Sequence, residues 1–158
     1  MNKIQVGQVA PDFSIYGTDK NIMTLSEQRI SNVLLLFFPL AFTRVCTTEL
    51  CSIRDNLKKY EGLNVKPLAV SVDSLYVLKK FKDEQDLNFP LLSDFNKEVS
   101  TLYGCLYTEF SYGMRGVAKR SAFLIDKQGI VQYAEVLEDA GIQPNFEAIQ
   151  VKLLELAR

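Results

Sequence analysis

The sequence predicts a three-layer α/β domain, in which helices cover both faces of a central sheet. Residues 33–38 (VLLLFF) form an unbroken apolar run with the length of a strand buried on both faces, which is typical of a parallel sheet. Residues 65–72 (VKPLAVSV) predict a second buried strand, and the segment between the two has apolar residues at helical spacing. This alternation of strands and helices indicates a sheet packed between helical layers.

Turn residues, helix caps and apolar spacing predict the remaining elements. The turn sequence GTDKN separates the strands of an N-terminal hairpin, Ser74 can cap a helix, and Pro144 lies near the start of the last one. In chain order, we expect a hairpin over 12–16 and 22–25, a strand over 33–38, a helix over about 44–60, a strand over 65–72, a helix over 74–85, a strand over 89–92, a helix over 97–103, a hairpin over 121–125 and 130–136, and a helix over 145–157.

Two segments fit these elements less simply. Pro67 has no N–H to donate to a sheet ladder, so an interior position for the strand over 65–72 is less certain. Residues 104–119 are rich in glycine and aromatic residues and predict a long loop, which in a compact domain is often functional.

Length and charge restrict the class of protein. The 158 residues are compatible with a single domain over 1–158, and the net charge of −1 gives no reason to expect a nucleic-acid partner. The N-terminus is polar, no apolar run is long enough to span a bilayer, and neither a signal peptide nor a membrane partner is expected. Three cysteines without a secretion signal predict a reducing cytoplasmic location, where a disulfide is more often catalytic than structural.

The complete absence of histidine excludes several mechanisms. A Cys–His hydrolase would have no base, and zinc sites that need histidine cannot form. The sequence also has no Cys-x-x-Cys pair and no glycine-rich nucleotide-binding signature, so we expect no metal and no organic cofactor.

Cys46 is the residue best placed for chemistry. Pro39 ends the strand over 33–38 and Thr43 occupies a possible helix cap, so Cys46 falls in or just before the first turn of the next helix. Free N–H groups at a helix N-terminus stabilise a thiolate. A thiol of pKa about 8.5 is about 3% ionised at pH 7, so full ionisation gains at most roughly 30-fold, or about 2 kcal/mol. The remaining lowering of the reaction barrier must come from other groups, such as the hydroxyl of Thr43 and a cation from elsewhere in the chain.

Three motifs resemble the peroxiredoxins, which are thiol peroxidases. The stretch PLAFTRVC has their Pro-x-x-x-Thr-x-x-Cys spacing, residues 120–129 (RSAFLIDKQG) resemble the later strand that begins at an active-site arginine, and residues 6–13 (VGQVAPDF) resemble the family's N-terminal segment. The resemblance covers nearly the whole chain. It implies a thioredoxin-like three-layer sandwich with a central mixed sheet and an N-terminal hairpin.

The resemblance also implies an activity and a role for each site residue. The chain would reduce hydrogen peroxide and organic hydroperoxides at a Cys46 thiolate, which becomes a sulfenic acid. Thr43, Arg120 and the backbone N–H groups of Val45 and Cys46 would hold the peroxide, and Pro39 would shield the oxidised sulfur. This interpretation requires the Arg120 guanidinium to lie beside the Cys46 sulfur, and it requires an opening from that sulfur to solvent.

Two further residues have alternative roles. Cys51 resembles the resolving thiol of the branch related to bacterioferritin comigratory protein (PrxQ). The stretch PLAFT and the C-terminal strands also resemble AhpE-type members, in which an external thiol resolves the sulfenate and Cys51 would be structural. Glu49 would orient Arg120 or a loop, or it would only complement the helix dipole. Cys105 has no family motif around it and is interpreted as a packed residue.

Helix geometry sets a condition on a bond between Cys46 and Cys51. Five residues along an α-helix rise about 7.5 Å and rotate about 140°, so the two sulfurs point apart and their Cα atoms exceed the disulfide limit of roughly 7 Å. A disulfide therefore requires the helix to unwind over about 42–53.

A thioredoxin- or glutaredoxin-like reductant and a homodimer are the partners that the resemblance implies. Two other functions remain open at this point. One is a redox sensor that passes its oxidation to a partner protein, and the other is a holdase-like or structural domain.

Overall fold

A mixed sheet with an N-terminal hairpin organises the fold. The computed structural model describes residues 3–157, so residues 1–2 and 158 of the predicted domain lie outside it. The strands are β1 (Ser14–Tyr16), β2 (Ile22–Thr24), β3 (Asn32–Phe37), β4 (Val65–Ser71), β5 (Leu91–Ser93), β6 (Ser121–Ile125) and β7 (Val131–Val136). Within residues 3–157, β1 and β2 form an antiparallel hairpin, and the other five strands form one sheet in the order β5-β4-β3-β6-β7.

The direction of the strands places the end of β3 beside the start of β6. The strands β3, β4 and β5 run parallel, whereas β6 is antiparallel to β3 and β7 is antiparallel to β6. Phe37, the last residue of β3, is therefore paired with Ser121, the first residue of β6. The predicted mixed sheet is confirmed, and this pairing brings two distant parts of the chain to one edge.

The helices lie where their apolar spacing predicted them, with one difference. They are α1 (Arg44–Asp55), α2 (Leu57–Gly62), α3 (Leu75–Glu84), α4 (Glu98–Leu102) and α5 (Phe146–Leu156), with 3-10 turns over Leu25–Gln28 and Ser111–Gly113. Ser74 caps α3 as predicted, since its Oγ accepts the Val77 N–H at 3.3 Å. Among residues 3–157, every helix is too short or too polar to cross a membrane.

The helix predicted over about 44–60 is divided at Asn56. This residue leaves the helical region (φ −112°, ψ 14°), and its side-chain amide donates to the Ser52 carbonyl at 2.8 Å. Asparagine side chains compete in this way with the helical hydrogen bonds of the backbone. The prediction of one continuous helix was therefore wrong, and α2 is a separate turn of helix behind α1.

Pro67 is accommodated inside β4 because of the direction in which its nitrogen points. The N–H of Ala69, two residues later, donates to the Pro90 carbonyl on the β5 side at 3.1 Å. The nitrogen of Pro67 faces the same side, but β5 pairs only with residues from Ala69 onwards. No hydrogen bond of the ladder is therefore lost at Pro67.

The side chains of the sheet divide the core into two layers. Leu34 and Leu36 of β3 point to the layer that contains α1, α3 and α5, where they join Leu50 and Phe81. Alternate residues of β3 point to the opposite layer, in which the rings of Phe37, Tyr103 and Phe123 pack together. Because β3 is buried on both faces, it holds in place the start of the loop that leads to α1.

We expect Phe123→Ala to lower the free energy of unfolding by about 3–5 kcal/mol, because it leaves a cavity in the core layer that also contains Phe37 and Tyr103. The Phe123 ring is fully buried and lies 5.2 Å from Tyr103 and 5.8 Å from Phe37, measured between ring centroids. Tyr76→Ala is the matched control, since Tyr76 is 87% exposed, and should change stability by about 0.5 kcal/mol or less. Urea unfolding measures both, and equal losses would contradict this account of the core.

Candidate active site

The connection between β3 and α1 presents Cys46 at the carboxyl end of the sheet. The Phe38 N–H still donates to the Val70 carbonyl at 3.0 Å, and Pro39, which is buried and has no N–H, ends the pairing. The helix α1 begins at Arg44, so Cys46 lies in its first turn as predicted. The N–H groups of that turn have no carbonyl four residues before them in the helix, and they remain available to an anion.

Thr43 occupies the N-cap position, but its side chain does not cap the helix. Its Oγ1 donates instead to the Leu40 carbonyl at 2.7 Å, while its own carbonyl accepts the Thr47 N–H at 2.9 Å. The hydroxyl hydrogen is therefore engaged within the loop. Because Thr43 is exposed, the lone pairs of Oγ1 remain available to a ligand.

Arg120 immediately precedes β6, and its side chain reaches Cys46. Its Nη2 donates to the Cys46 sulfur at 3.0 Å, its Nη1 to Glu49 Oε1 at 2.7 Å, and its Nε to the Ala140 carbonyl at 3.1 Å. Arg120 is 1% exposed, and these three acceptors hold its planar guanidinium in one orientation. The required proximity of the Arg120 guanidinium to the Cys46 sulfur is present.

Glu49 lies one helical turn after Cys46 and is fully buried. Burial raises its pKa to about 7, although the adjacent Arg120 charge and hydrogen bond act in the opposite direction. Burial also disfavours the charged form of Arg120, but Cys46 and Glu49 outweigh this effect and raise the guanidinium pKa. Within residues 3–157, Glu49 Oε2 has no hydrogen-bond partner, which agrees with a carboxyl group that is easily protonated.

The sulfur of Cys46 is closed off from solvent in this conformation. Cys46 has no exposed surface and packs in the same core cluster as Phe38, Ala41 and Leu50. The requirement for an opening to solvent is therefore not met here, and that expectation was wrong for this state of the molecule. Thr43, by contrast, is an exposed residue.

The other two cysteines lie apart from the arginine. Cys51 is half-buried further along α1, where its sulfur lies 3.5 Å from Gln85 Oε1. The helix is continuous between Cys46 and Cys51, so the geometric condition on a disulfide applies to this conformation. Cys105 is fully buried, and burial raises its pKa to about 12, as suits a packed thiol rather than a nucleophile.

Two polar contacts in the site were missed by the sequence analysis. The Ala140 carbonyl, which accepts from Arg120, gave no signal because any residue supplies a carbonyl. Asp73 lies just beyond β4, and its carboxylate accepts the Ala41 N–H at 2.8 Å. Its position directly after a buried strand, at the same edge of the sheet as Cys46, was a usable signal.

Comparison with known proteins identifies relatives over most of the chain. The profile of the AhpC/TSA family matches residues 6–134. The chain is 40% identical over 145 residues to a putative peroxiredoxin, ycf42, of Porphyra purpurea, which covers 85% of this chain and 70% of that protein. It is 36% identical over 143 residues to alkyl hydroperoxide reductase E of Mycobacterium tuberculosis, covering 89% and 90% of the two chains.

Solved structures agree with the predicted fold. A peroxiredoxin-like protein from Aquifex aeolicus superposes with a TM-score of 0.88 at 25% identity, covering 99% of this chain and 90% of that one. The peroxidoxin BcpB from Mycobacterium tuberculosis superposes with a TM-score of 0.85 at 24% identity, covering 97% and 98%. The thioredoxin-like sandwich with a central mixed sheet and an N-terminal hairpin is confirmed.

We expect the stability conferred by neutral Glu49 to disappear as the pH rises through about 7. Its pKa in the folded protein exceeds the ordinary value of 4.5, so the folded state holds the proton more tightly than the unfolded state does. The stabilisation is complete below about pH 4.5 and is lost on ionisation.

Melting temperatures of the wild type and Glu49→Gln, measured from about pH 5 to about pH 8, provide the test, because glutamine does not titrate. The wild-type value should fall relative to that of Glu49→Gln as the pH rises. Glu61→Gln, at an exposed position of α2, serves as the control and should follow the wild type. A constant difference between the wild type and Glu49→Gln would show that Glu49 does not titrate in this range.

Proposed function

The chain belongs to the AhpC/TSA family of peroxiredoxins and is a thiol-dependent peroxidase, and from this premise we propose that Cys46 is the residue that the peroxide oxidises. The observation that carries the proposal is the hydrogen bond of 3.0 Å from Arg120 Nη2 to the Cys46 sulfur. A buried guanidinium beside a sulfur favours the thiolate, which is the reactive form. Neither Cys51 nor Cys105 has such a contact with Arg120.

In the first step, the Cys46 thiolate attacks the distal oxygen of a hydroperoxide. An S–O bond forms while the O–O bond breaks, so the sulfur is oxidised by two electrons and the peroxide is reduced. The proximal oxygen leaves as hydroxide or alkoxide and takes up a proton, giving water or an alcohol. Cys46 is left as a sulfenic acid. Hydrogen peroxide and organic hydroperoxides both fit this step.

The groups around Cys46 stabilise the charge that develops on the two oxygens. Arg120 and the backbone N–H groups of Val45 and Cys46 supply donors, in the manner of an oxyanion hole. Thr43 contributes through its lone pairs, because its hydrogen is donated to Leu40, and so it accepts the O–H of the peroxide. Pro39, which is buried just beyond the end of β3, shields the sulfenic acid from water. Glu49 orients Arg120 through the contact of 2.7 Å.

Because the Cys46 sulfur is buried, the peroxide reaches it only after local movement of the surrounding side chains. A site that opens briefly also limits contact between the sulfenic acid and a second peroxide. The closed conformation therefore represents the reduced, resting enzyme.

A second thiol then condenses with the sulfenic acid of Cys46 and releases water, forming a disulfide. Cys51 is the internal candidate, and its use requires the segment 42–53 to unwind, which breaks the contacts of Arg120 with α1. An external thiol performs the same step if α1 stays folded.

Proteins of this family act on hydroperoxides with thioredoxin-like reductants and often form dimers. For this chain, we propose a thioredoxin- or glutaredoxin-like protein as the reductant and a second copy of the chain as the partner. The redox-relay alternative is not favoured, since the relatives are named as peroxiredoxins and a reductase.

Replacing Arg120 by glutamine should slow the oxidation of Cys46 by on the order of 100-fold or more, because a charged donor to the sulfur and the leaving oxygen is lost. Arg115→Gln is the matched control, since Arg115 is exposed in the neighbouring loop, and should retain the wild-type rate. Stopped-flow measurement of a single turnover with hydrogen peroxide gives both rates. Cys46→Ser gives the background signal, because it has no thiol at this position to oxidise.

The double variant Glu49→Gln/Arg120→Gln separates the effect on the reaction from the effect on folding. In Arg120→Gln alone the buried Glu49 carboxyl loses its cation, whereas the double variant has no carboxyl at that position. The double variant should oxidise Cys46 as slowly as Arg120→Gln does, and it should melt at a higher temperature than Arg120→Gln. A wild-type rate in either Arg120 variant would remove Arg120 from the reaction.

Intact mass spectrometry after one equivalent of peroxide distinguishes the two routes of resolution. An internal disulfide lowers the mass by about two units in the wild type, whereas Cys51→Ser keeps the added oxygen. Cys105→Ser is the control and should behave as the wild type, because this buried thiol is not expected to react.

With the disulfide formed, the backbone amides of the segment 42–53 that are hydrogen-bonded in α1, from Thr47 onwards, should lose their protection from hydrogen exchange, because the bond cannot form within an intact helix. A wild-type sulfenate that persists would instead assign resolution to an external thiol. Unchanged protection in a proven Cys46–Cys51 disulfide would refute the unwinding.

A further inference from the structure

The peptide group that joins Leu40 to Ala41 is held by a side chain on each side. Its N–H donates to Asp73 Oδ2 at 2.8 Å, and its carbonyl accepts the hydroxyl of Thr43 at 2.7 Å. A peptide group is planar, and its N–H and C=O point in opposite directions, so fixing one fixes the other. The carboxylate of Asp73 thereby determines where the hydroxyl hydrogen of Thr43 must point.

Asp73 is itself attached to the end of the sheet. The fully buried Ser71, the last residue of β4, donates its hydroxyl to Asp73 Oδ2 at 2.7 Å and accepts the Asp73 N–H at 3.1 Å. Ser93, the last residue of β5, donates its hydroxyl to the Asp73 carbonyl at 2.6 Å. These contacts give the carboxylate a fixed position relative to the loop between β3 and α1.

We infer that Asp73 is a positioning residue for the peroxide step, acting on Thr43 through the peptide group between Leu40 and Ala41. A carboxylate that accepts the N–H polarises this peptide and makes its carbonyl a stronger acceptor for the hydroxyl of Thr43. The hydrogen of Thr43 stays on Leu40, and the lone pairs of its oxygen face the substrate. This inference rests on the role proposed above for Thr43, which accepts the O–H of the peroxide.

The inference predicts that Asp73→Ala slows the single-turnover oxidation of Cys46 by about tenfold, the effect of losing one charged hydrogen bond. Asp73→Asn keeps an oxygen acceptor at the same place and should lose less than about threefold. Asp83→Ala, at an exposed position of α3, is the matched control and should retain the wild-type rate.

The rate at which iodoacetamide alkylates Cys46, a reaction that needs no hydrogen bond to Thr43, should stay within about twofold of the wild type in all these variants. Should Asp73→Ala fail to fold, Asp73→Ser takes its place. The serine side chain is shorter than that of aspartate, so its hydroxyl does not reach the Ala41 N–H, and the oxidation of Cys46 should slow by the same factor.

A double-mutant cycle with Thr43→Val shows whether Asp73 acts through Thr43. In the Thr43→Val background, Asp73→Ala should cost nothing further, because the hydroxyl that it orients is gone. The inference is overturned if Asp73→Ala reacts at the wild-type rate, or if it also slows Thr43→Val about tenfold. Should Thr43→Val itself react at the wild-type rate, the role of Thr43 falls and this inference with it, while the role of Arg120 is judged by its own variants.

Discussion

The contact of the Arg120 guanidinium with the Cys46 sulfur and the Glu49 carboxyl is the interaction on which the rest of the site depends. Moving a charge into the protein interior costs several kcal/mol unless partners and hydrogen bonds compensate it. Arg120 meets this condition with three acceptors: the sulfur, the carboxyl and the Ala140 carbonyl. Each acceptor belongs to a different turn or loop, so the start of β6, the first turns of α1 and the segment after β7 must all be in place together. The buried charge of Arg120 is therefore compensated only when these three parts of the chain are in their folded positions.

Burial serves the chemistry and also restricts it. In a low-dielectric interior, the attraction between a guanidinium and an anion is much stronger than it is in water, so Arg120 is placed to stabilise the negative charge of the proposed reaction at Cys46. The same burial raises the pKa of Glu49 to about 7 and closes the sulfur off from solvent. The helix α1 must be folded to present Cys46 to Arg120, and it must unwind if Cys51 is to reach that sulfur. If Cys51 is the resolving thiol, the segment must therefore be ordered in the reduced protein and yet locally unstable.

The sequence predicted most of the properties that depend on neighbours along the chain. The apolar run over 33–38 identified the central strand, and the spacing from Pro39 to Thr43 to Cys46 placed the thiol in the first turn of a helix. Both follow from local periodicity and from the conformations that proline and capping residues permit. The prediction failed at Asn56, where a side-chain amide competes with the backbone and divides a helix that the apolar spacing left continuous.

What the sequence by itself determined is the order of strands and helices, the position of Cys46 in the first turn of α1 and, through its motifs, the class of protein. The resemblance implied that Arg120 lies beside Cys46, but only the tertiary structure showed which groups meet. Arg120 lies 74 residues from Cys46 and 71 from Glu49, and the pairing of β3 with β6 brings them together. The Asp73 contact with Ala41, the Ala140 carbonyl and the closure over the sulfur likewise appear only after folding. The physical reason is that local patterns report the conformation of a segment, whereas burial and hydrogen bonding depend on segments that are distant in the chain.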